Sequence, residues 1–182
     1  VMIPLALLAG RQVGYWQSSR ALFQHALDVT RNNYLAHINL GLAFEEEGRF
    51  DEAINQFRQS LAIKSKNDLA HFSLGGVFTM QGKPEEAMME YEKALDLNPN
   101  MAPAHNNLGA AFASQGKVNE AIAEFRRSIV SNPDYPNAYY NLGNALEKQG
   151  KRDEAIVEYR NALEVDSAYT PAEIALQRLQ RH

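Results

Sequence analysis

The chain has no cysteine among its 182 residues, which excludes a disulfide framework and any metal site built on thiolates. It also has no glycine-rich phosphate loop and no serine nucleophile elbow. Acidic and basic residues are interleaved, with a net charge of −4 and no basic stripe, so nucleic acid is not an expected partner. From these absences we expect no catalytic activity, no small-molecule substrate, no cofactor and no bound metal.

Long apolar runs are missing too, apart from the first ten residues, VMIPLALLAG. This run is about half of the roughly 20 residues that a bilayer span needs, and it lacks the basic start and the cleavage site of a signal peptide. It is therefore either the end of a truncated membrane helix or an ordinary packing helix. Because the chain starts at Val1 rather than methionine, we expect a fragment or a processed product.

One nine-residue segment recurs four times at a spacing of 34 residues. It reads AHINLGLAF from residue 36, AHFSLGGVF from 70, AHNNLGAAF from 104 and AYYNLGNAL from 138. In each copy a second glycine follows the Leu-Gly pair, then a Glu-Ala pair, then an aromatic residue at Phe57, Tyr91, Phe125 or Tyr159. A period of 34 residues predicts stacked helix–turn–helix units.

These residues form the pattern of the tetratricopeptide repeat (TPR) family, which the sequence closely resembles from residue 34 to residue 169. The resemblance implies an all-α fold, a right-handed α-solenoid of antiparallel helix pairs. Full repeats are expected at 34–67, 68–101, 102–135 and 136–169. They are flanked by an apolar N-terminal segment (1–13), a degenerate half repeat (14–33) and a C-terminal capping helix (170–182).

Small residues and glycines in the repeat have a structural explanation. Gly41 and its equivalents let two helices approach closely, so their cost inside a helix is explained by packing. Gly48 and its equivalents are suited to the left-handed conformation that ends a first helix. In the last segment, Thr170 and Glu173 have the spacing of a capping box, with Pro171 at the first helical position.

The strongest candidate site is a series of amides just before the Leu-Gly pair, formed by Asn39, Asn107 and Asn141, with Ser73 in the second repeat. It resembles the asparagine ladder in the TPR region of O-linked N-acetylglucosamine transferase. That resemblance implies that these side chains line a concave groove and hold an extended peptide, since a primary amide both donates and accepts hydrogen bonds. The alternative is that asparagine merely suits this repeat.

The amides alone would bind weakly. Each hydrogen bond contributes about 0.5–1.5 kcal/mol, against an association cost of at least about 4 kcal/mol. Apolar and polar neighbours on the same helices would have to contribute. The predicted groove set therefore also includes Leu35, Ile38, Leu42, Leu69, Phe72, Asn106, Tyr140 and Asn144.

Two other kinds of site are not expected. His37, His71 and His105 share one repeat position, but packed helices are about 8–10 Å apart and metal–nitrogen bonds are about 2 Å. We therefore interpret them as packing histidines at the mouth of the groove. The carboxylate clamp of chaperone-binding TPRs is also absent: its lysine position holds Ile38, Phe72, Asn106 and Tyr140, and its neighbouring position holds Leu42, Gly76, Ala110 and Asn144. Only Asn144 would suit such a clamp.

The first functional prediction is therefore an interaction module that binds an extended polypeptide. Residues 11–41 also resemble a junction in large membrane proteins, where a glycosyltransferase-like region is followed by extracytoplasmic TPRs. This resemblance implies a membrane tether through the N-terminus and a location on the periplasmic side, with a cytoplasmic location as the alternative. The second functional prediction is a scaffold that self-assembles into a homo-oligomer through the apolar N-terminal segment.

Overall fold

The computed structural model describes residues 19–180, and all regular structure in this part of the chain is α-helical. The predictions for residues 1–18, including the apolar N-terminal segment, lie outside it. The chain divides between Lys83 and Pro84 into two compact units. The first holds helices α1 (Ser19–Val29), α2 (Tyr34–Glu46), α3 (Phe50–Ile63) and α4 (Asp68–Met80). The second holds α5 (Pro84–Leu97), α6 (Ala102–Ser114), α7 (Val118–Ser131), α8 (Pro136–Lys148), α9 (Arg152–Val165) and α10 (Thr170–Gln180).

Within each unit, helices pack mainly against their neighbours in sequence. In the first unit α1 contacts α2, α2 contacts α3, and α3 contacts α4, while α2 also lies beside α4. In the second unit the same order runs from α5 to α10, and α6 also lies beside α8. Each first helix of a repeat is thus next to the first helix of the following repeat in the same unit. The all-α class of antiparallel helix pairs is confirmed.

The Leu-Gly glycines pack against the aromatic residue of the second helix in the same repeat. A Cβ atom added at Gly41 would lie 2.5 Å from Phe57 Cε1, and one at Gly109 would lie 2.7 Å from Phe125 Cε1. Both rings are almost completely buried. Because no real Cβ atom could occupy those positions, the aromatic ring requires glycine there, as the repeat pattern predicted.

The turns between paired helices use the second glycine of each repeat. Gly48 has a φ of 72°, and the three equivalent glycines have φ values between 69° and 78°. The Gly48 N–H donates to the Glu45 carbonyl and the Arg49 N–H donates to the Phe44 carbonyl, at 2.9 and 2.8 Å. These bonds satisfy carbonyls that the helix end leaves open. The predicted left-handed conformation is confirmed.

The last helix begins differently from the prediction. Helix α10 starts at Thr170 itself, and the Thr170 hydroxyl donates to the Ala168 carbonyl at 3.3 Å. The Glu173 N–H donates to the Tyr169 carbonyl. The capping-box prediction is therefore wrong, because the threonine lies inside the first turn and its oxygen is directed backwards along the chain. The helix still packs on α9 and buries Ala172, Ala175 and Leu179.

In residues 19–180 no helix combines the length and the apolar character needed to cross a bilayer.

Candidate functional site

In the second unit, the predicted groove residues lie on two neighbouring first helices. Helix α6 carries Asn106 and Asn107, and helix α8 carries Tyr140, Asn141 and Asn144. Asn106 is buried, whereas the other four are half-buried. The structure thus brings this part of the predicted set together on adjacent elements.

The asparagines form a chain of hydrogen bonds across the two helices. The Asn141 Nδ2 donates to the Asn106 Oδ1 at 2.9 Å, and the Asn106 Nδ2 donates to the Asn107 Oδ1 at 3.3 Å. The Asn107 Nδ2 then donates to the Tyr91 hydroxyl at 3.4 Å. Asn106 and Asn107 therefore use much of their hydrogen-bonding capacity within the protein. The Asn141 Oδ1, at the end of this series of hydrogen bonds, accepts no hydrogen bond from residues 19–180.

In Asn144 it is the amide oxygen, rather than the NH₂ group, that bonds to the protein. The single proton of the Tyr159 hydroxyl is shared between the Asn144 Oδ1 at 2.8 Å and the Glu147 Oε2 at 2.9 Å. Burial, followed by the hydrogen bond to Glu147, raises the pKa of Tyr159, so the phenol keeps its proton and remains a donor. Glu147 is neutralised by Arg178. The amide group of Asn144 consequently presents its NH₂ to the surroundings.

The free oxygen of Asn141 and the free NH₂ of Asn144 belong to residues that line one open pocket. This pocket has a volume of about 290 Å³ and is called the C-terminal pocket below. It is lined by Ala110, Ala113, Ser114, Phe125, Asn141, Asn144, Ala145 and Lys148. A neighbouring hollow of about 360 Å³ is lined by Asn144, Glu147, Lys148 and Arg178, so the two share Asn144 and Lys148.

Tyr140 lies in an aromatic cluster rather than standing alone on the surface. Its ring centroid is 5.8 Å from that of Tyr159 and 5.8 Å from that of Tyr169. The Tyr169 hydroxyl donates to the Asn137 Oδ1 at 2.7 Å, and burial raises the pKa of Tyr169. This cluster fixes the part of α8 from which Asn141 and Asn144 project.

In the first unit, the predicted residues differ in how accessible they are. Ile38 is 1% exposed and Ser73 is 5% exposed, so both are core residues. Asn39, Leu42 and Phe72 are half-buried. Leu35 and Leu69 are 52% and 42% exposed and present apolar surface to solvent.

Two of the repeat-equivalent histidines, His37 and His105, contact the second helix of their own repeat. The His105 Nδ1 lies 2.7 Å from the Glu124 Oε2, and its Nε2 lies 2.9 Å from the Pro99 carbonyl oxygen. The hydrogen bond to Glu124 raises the pKa of His105. At the equivalent position, the His37 Nδ1 lies 2.8 Å from the Gln56 Oε1. Both contacts join the two helices of a repeat.

Sequence reasoning missed the pocket residues one turn further along each first helix. Lys148 lies four residues beyond Asn144 and seven beyond Asn141 on α8, and Ser114 lies seven residues beyond Asn107 on α6. These spacings were a usable signal, since residues three, four and seven apart share a face of a helix.

The comparisons with known proteins agree with this geometry. A family model described as "TPR repeat" matches residues 45–82, 76–116 and 111–150, and one described as "Tetratricopeptide repeat" matches residues 136–169. A search of curated proteins finds no match.

Several solved structures are similar. MamA protein is 26% identical, with 86% of each chain covered and a TM-score of 0.71. The pilF protein of Pseudomonas aeruginosa is 25% identical, with 80% of this chain and 67% of that chain covered and a TM-score of 0.75. YrrB, described as a TPR protein with an unusual peptide-binding site, is 21% identical, with 95% and 87% covered and a TM-score of 0.70. At that identity, the likeness to YrrB concerns the fold alone.

Proposed function

Because this chain belongs to the tetratricopeptide repeat family, we propose that it binds an extended polypeptide on the surface formed by the first helices of its repeats. Proteins with this fold are typically non-enzymatic scaffolds that bind other proteins. The chain is an interaction module in this general sense. Its first helices carry half-buried amides and partly exposed apolar side chains that a bound polypeptide would contact.

The observation that supports the proposal best is the pairing of an acceptor with a donor in the C-terminal pocket. Asn141 contributes a carbonyl oxygen and Asn144 contributes an NH₂ group, and each is oriented by a hydrogen bond from its other end. A peptide backbone offers one N–H and one C=O per residue. The pair is therefore complementary to a backbone segment and is indifferent to its side chains.

Hydrogen-bond cooperativity strengthens this pair. The Asn141 amide donates into a chain of amides, which makes its own oxygen a better acceptor, and the Asn144 amide accepts from a phenol, which makes its NH₂ a better donor. The net contribution of each bond remains about 0.5–1.5 kcal/mol. The pocket alone would therefore give weak binding, and neighbouring surface must add to it.

Two resemblances add support. The asparagine series is similar to the ladder of O-linked N-acetylglucosamine transferase, although here Asn106 and Asn107 are partly occupied by the protein itself. The solved structure of YrrB shows that a fold of this kind can carry a peptide-binding site. Within the second unit, the surface that we propose for the ligand is formed by Asn107, Tyr140, Asn141 and Asn144.

The first experiment selects peptides from a random displayed library on the immobilised full chain and measures their affinity by fluorescence anisotropy. Asn144→Ala should weaken binding by about two- to tenfold, because it removes one backbone hydrogen bond. Tyr159 keeps Glu147 as an acceptor in this variant, so its melting temperature should change little.

Asn161→Ala is the matched control. Asn161 also lies in the second unit and donates to Glu158 at 3.0 Å, but it is not among the residues lining the C-terminal pocket. Its binding should equal that of the wild type. Selected peptides that bind Asn144→Ala and Asn161→Ala equally well would show that the pocket is not the peptide site.

We further propose that the chain is the extracytoplasmic part of a larger membrane protein and presents polypeptides to a catalytic region in that protein. The support is the resemblance of residues 11–41 to such junctions; part of this range and the apolar N-terminal segment lie outside the described residues. Protease treatment of sealed membrane vesicles of known orientation tests the idea. Digestion of the repeats from the cytoplasmic face would contradict it.

A further inference from the structure

The first unit carries a second surface, formed by one face of α2 and the same face of α4. Leu35, Leu42 and Glu45 follow one another on α2 at helical spacing. On α4, which lies beside α2, Leu69, Phe72 and Gly76 occupy the repeat positions of Leu35, Ile38 and Leu42. A Cβ atom built at Gly76 would have the Glu45 Oε1 as its nearest neighbour, at 4.0 Å. The two rows of side chains therefore border the same space, which we call the N-terminal groove.

The N-terminal groove is apolar along most of its length. Leu35 and Leu69 are 52% and 42% exposed, and Leu42 and Phe72 are half-buried. Ile38, at the repeat position of Phe72, is buried. Exposed apolar side chains thus recur at one position in two neighbouring repeats, and exposed apolar patches mark interaction surfaces.

One end of the groove carries a negative charge that forms no ion pair with the described part of the chain. Glu45 has no ion-pair partner among residues 19–180, whereas the nearby Glu47 pairs with Arg20 at 3.3 Å and with Arg49 at 3.2 Å. Burial, followed by the charge of Glu46, raises the pKa of Glu45. A half-buried carboxylate without a cation is costly, and a cation supplied by a ligand would offset that cost.

Gly76 leaves room for that cation. With no side chain at position 76 of α4, the space beside the Glu45 carboxylate is open. At the same repeat position α2 has Leu42, and α6 and α8 have Ala110 and Asn144. Among these four first helices, α4, which faces Glu45, is thus the one without a side chain at this position.

We propose that the N-terminal groove binds an extended peptide segment that combines apolar side chains with a lysine or arginine. The apolar side chains of the peptide contact Leu35 and Leu69, and its cation pairs with Glu45. This inference rests on the proposed function and specifies its ligand. The ten residue steps from Leu35 to Glu45 span about 15 Å of helix. An extended segment lying along the helix covers that length in about four to five residues.

The test uses the same random peptide library on the full chain. Lysine and arginine should be enriched together with apolar residues in the selected peptides. Glu45→Gln keeps the shape of the side chain but removes its charge, and it should abolish that enrichment and weaken the basic peptides about tenfold. Gly76→Leu should weaken them as well, because it fills the space before the carboxylate.

Glu52→Gln is the matched control, since it removes the same charge from an exposed position on α3, where Glu52 pairs with Arg49. It should leave peptide selection unchanged. If Glu45→Gln and Glu52→Gln select the same peptides as the wild type, while Asn144→Ala weakens binding, this inference is wrong and the proposed function stands. If no peptide is selected at all, both fail.

Discussion

At the scale of single residues, the aromatic ring of the second helix decides which glycines can be replaced. Glycine inside a helix costs about 0.5–1 kcal/mol relative to alanine. Gly109 tolerates that cost because an added Cβ would lie 2.7 Å from Phe125 Cε1 and 3.2 Å from the Ala121 carbonyl oxygen. Gly76 also lies within a helix, but its added Cβ would meet nothing closer than 4.0 Å. The same residue type thus has opposite energetic roles in two repeats.

Gly109→Ala should therefore destabilise the protein by about 1–3 kcal/mol, the usual cost of overpacking a well-filled core. Gly76→Ala should stabilise it by about 0.5–1 kcal/mol, because it gains helix propensity without a clash. Urea unfolding followed by circular dichroism measures both. Equal effects of the two substitutions would contradict the role of the ring.

At the scale of elements, a buried pair joins α6 to α7. The two ring nitrogens of His105 face a carboxylate and a carbonyl, which are both acceptors, so the doubly protonated ring satisfies both. The Glu124 carboxylate stabilises that charge, and Arg127, which also contacts Glu124, opposes it. Two helices of one repeat are therefore connected by a pair that depends on protonation.

The pH dependence of stability follows from the raised pKa of His105. The folded state holds the proton more tightly than the unfolded state, so this stabilisation is complete below about pH 6.5. It is lost as the pH rises through the folded-state pKa. The difference in unfolding free energy between the wild type and His105→Gln should thus fall by about 1–2 kcal/mol with rising pH.

Urea titrations at several pH values across that range would measure this difference. His37→Gln is the control, because the partner of His37 is the uncharged Gln56 and the substitution removes no ion pair. A difference for His105→Gln that does not vary with pH would show that the pair contributes through packing alone.

At the scale of the whole molecule, the described helices within each unit contact their neighbours in sequence, and the next-but-one contacts are α2 with α4 and α6 with α8. In such arrays, stability is roughly a sum of repeat terms and nearest-neighbour interfaces. Helix α10 supplies the last interface, with Ala175 at 5% exposure facing the core and Ile174 at 60% exposure facing solvent. Damage to this interface should remain local.

Ala175→Asp should detach α10, since it places a charge against the apolar surface of α9. Amide hydrogen exchange should then accelerate about tenfold or more in α9 and α10 and stay unchanged in α1 to α4. Ile174→Asp introduces the same charge on the solvated face and should change nothing. Acceleration spread evenly over all helices would show that the chain unfolds as one cooperative body.

Much of the fold followed from local patterns. The 34-residue period, the Leu-Gly pairs and the second glycines predicted the helix pairs and their turns, because helix propensity and left-handed glycines act within a few residues of sequence. The caps at the helix N-termini were predicted less well. Asn33 and Asn67 cap α2 and α4 through hydrogen bonds to the Ala36 and Ala70 N–H groups, whereas the expected capping box at Thr170 does not form.

The sequence by itself therefore determined the fold class, the repeat and the helices that carry the candidate residues. Only the tertiary structure decided how those residues are oriented, because their partners lie one repeat away: Asn141 bonds to Asn106, and Glu45 faces Gly76. It also decided that Ile38 is core while Leu35 is surface. Periodicity assigns a side chain to a face of its helix, but the packing of the next helix determines whether that face is covered.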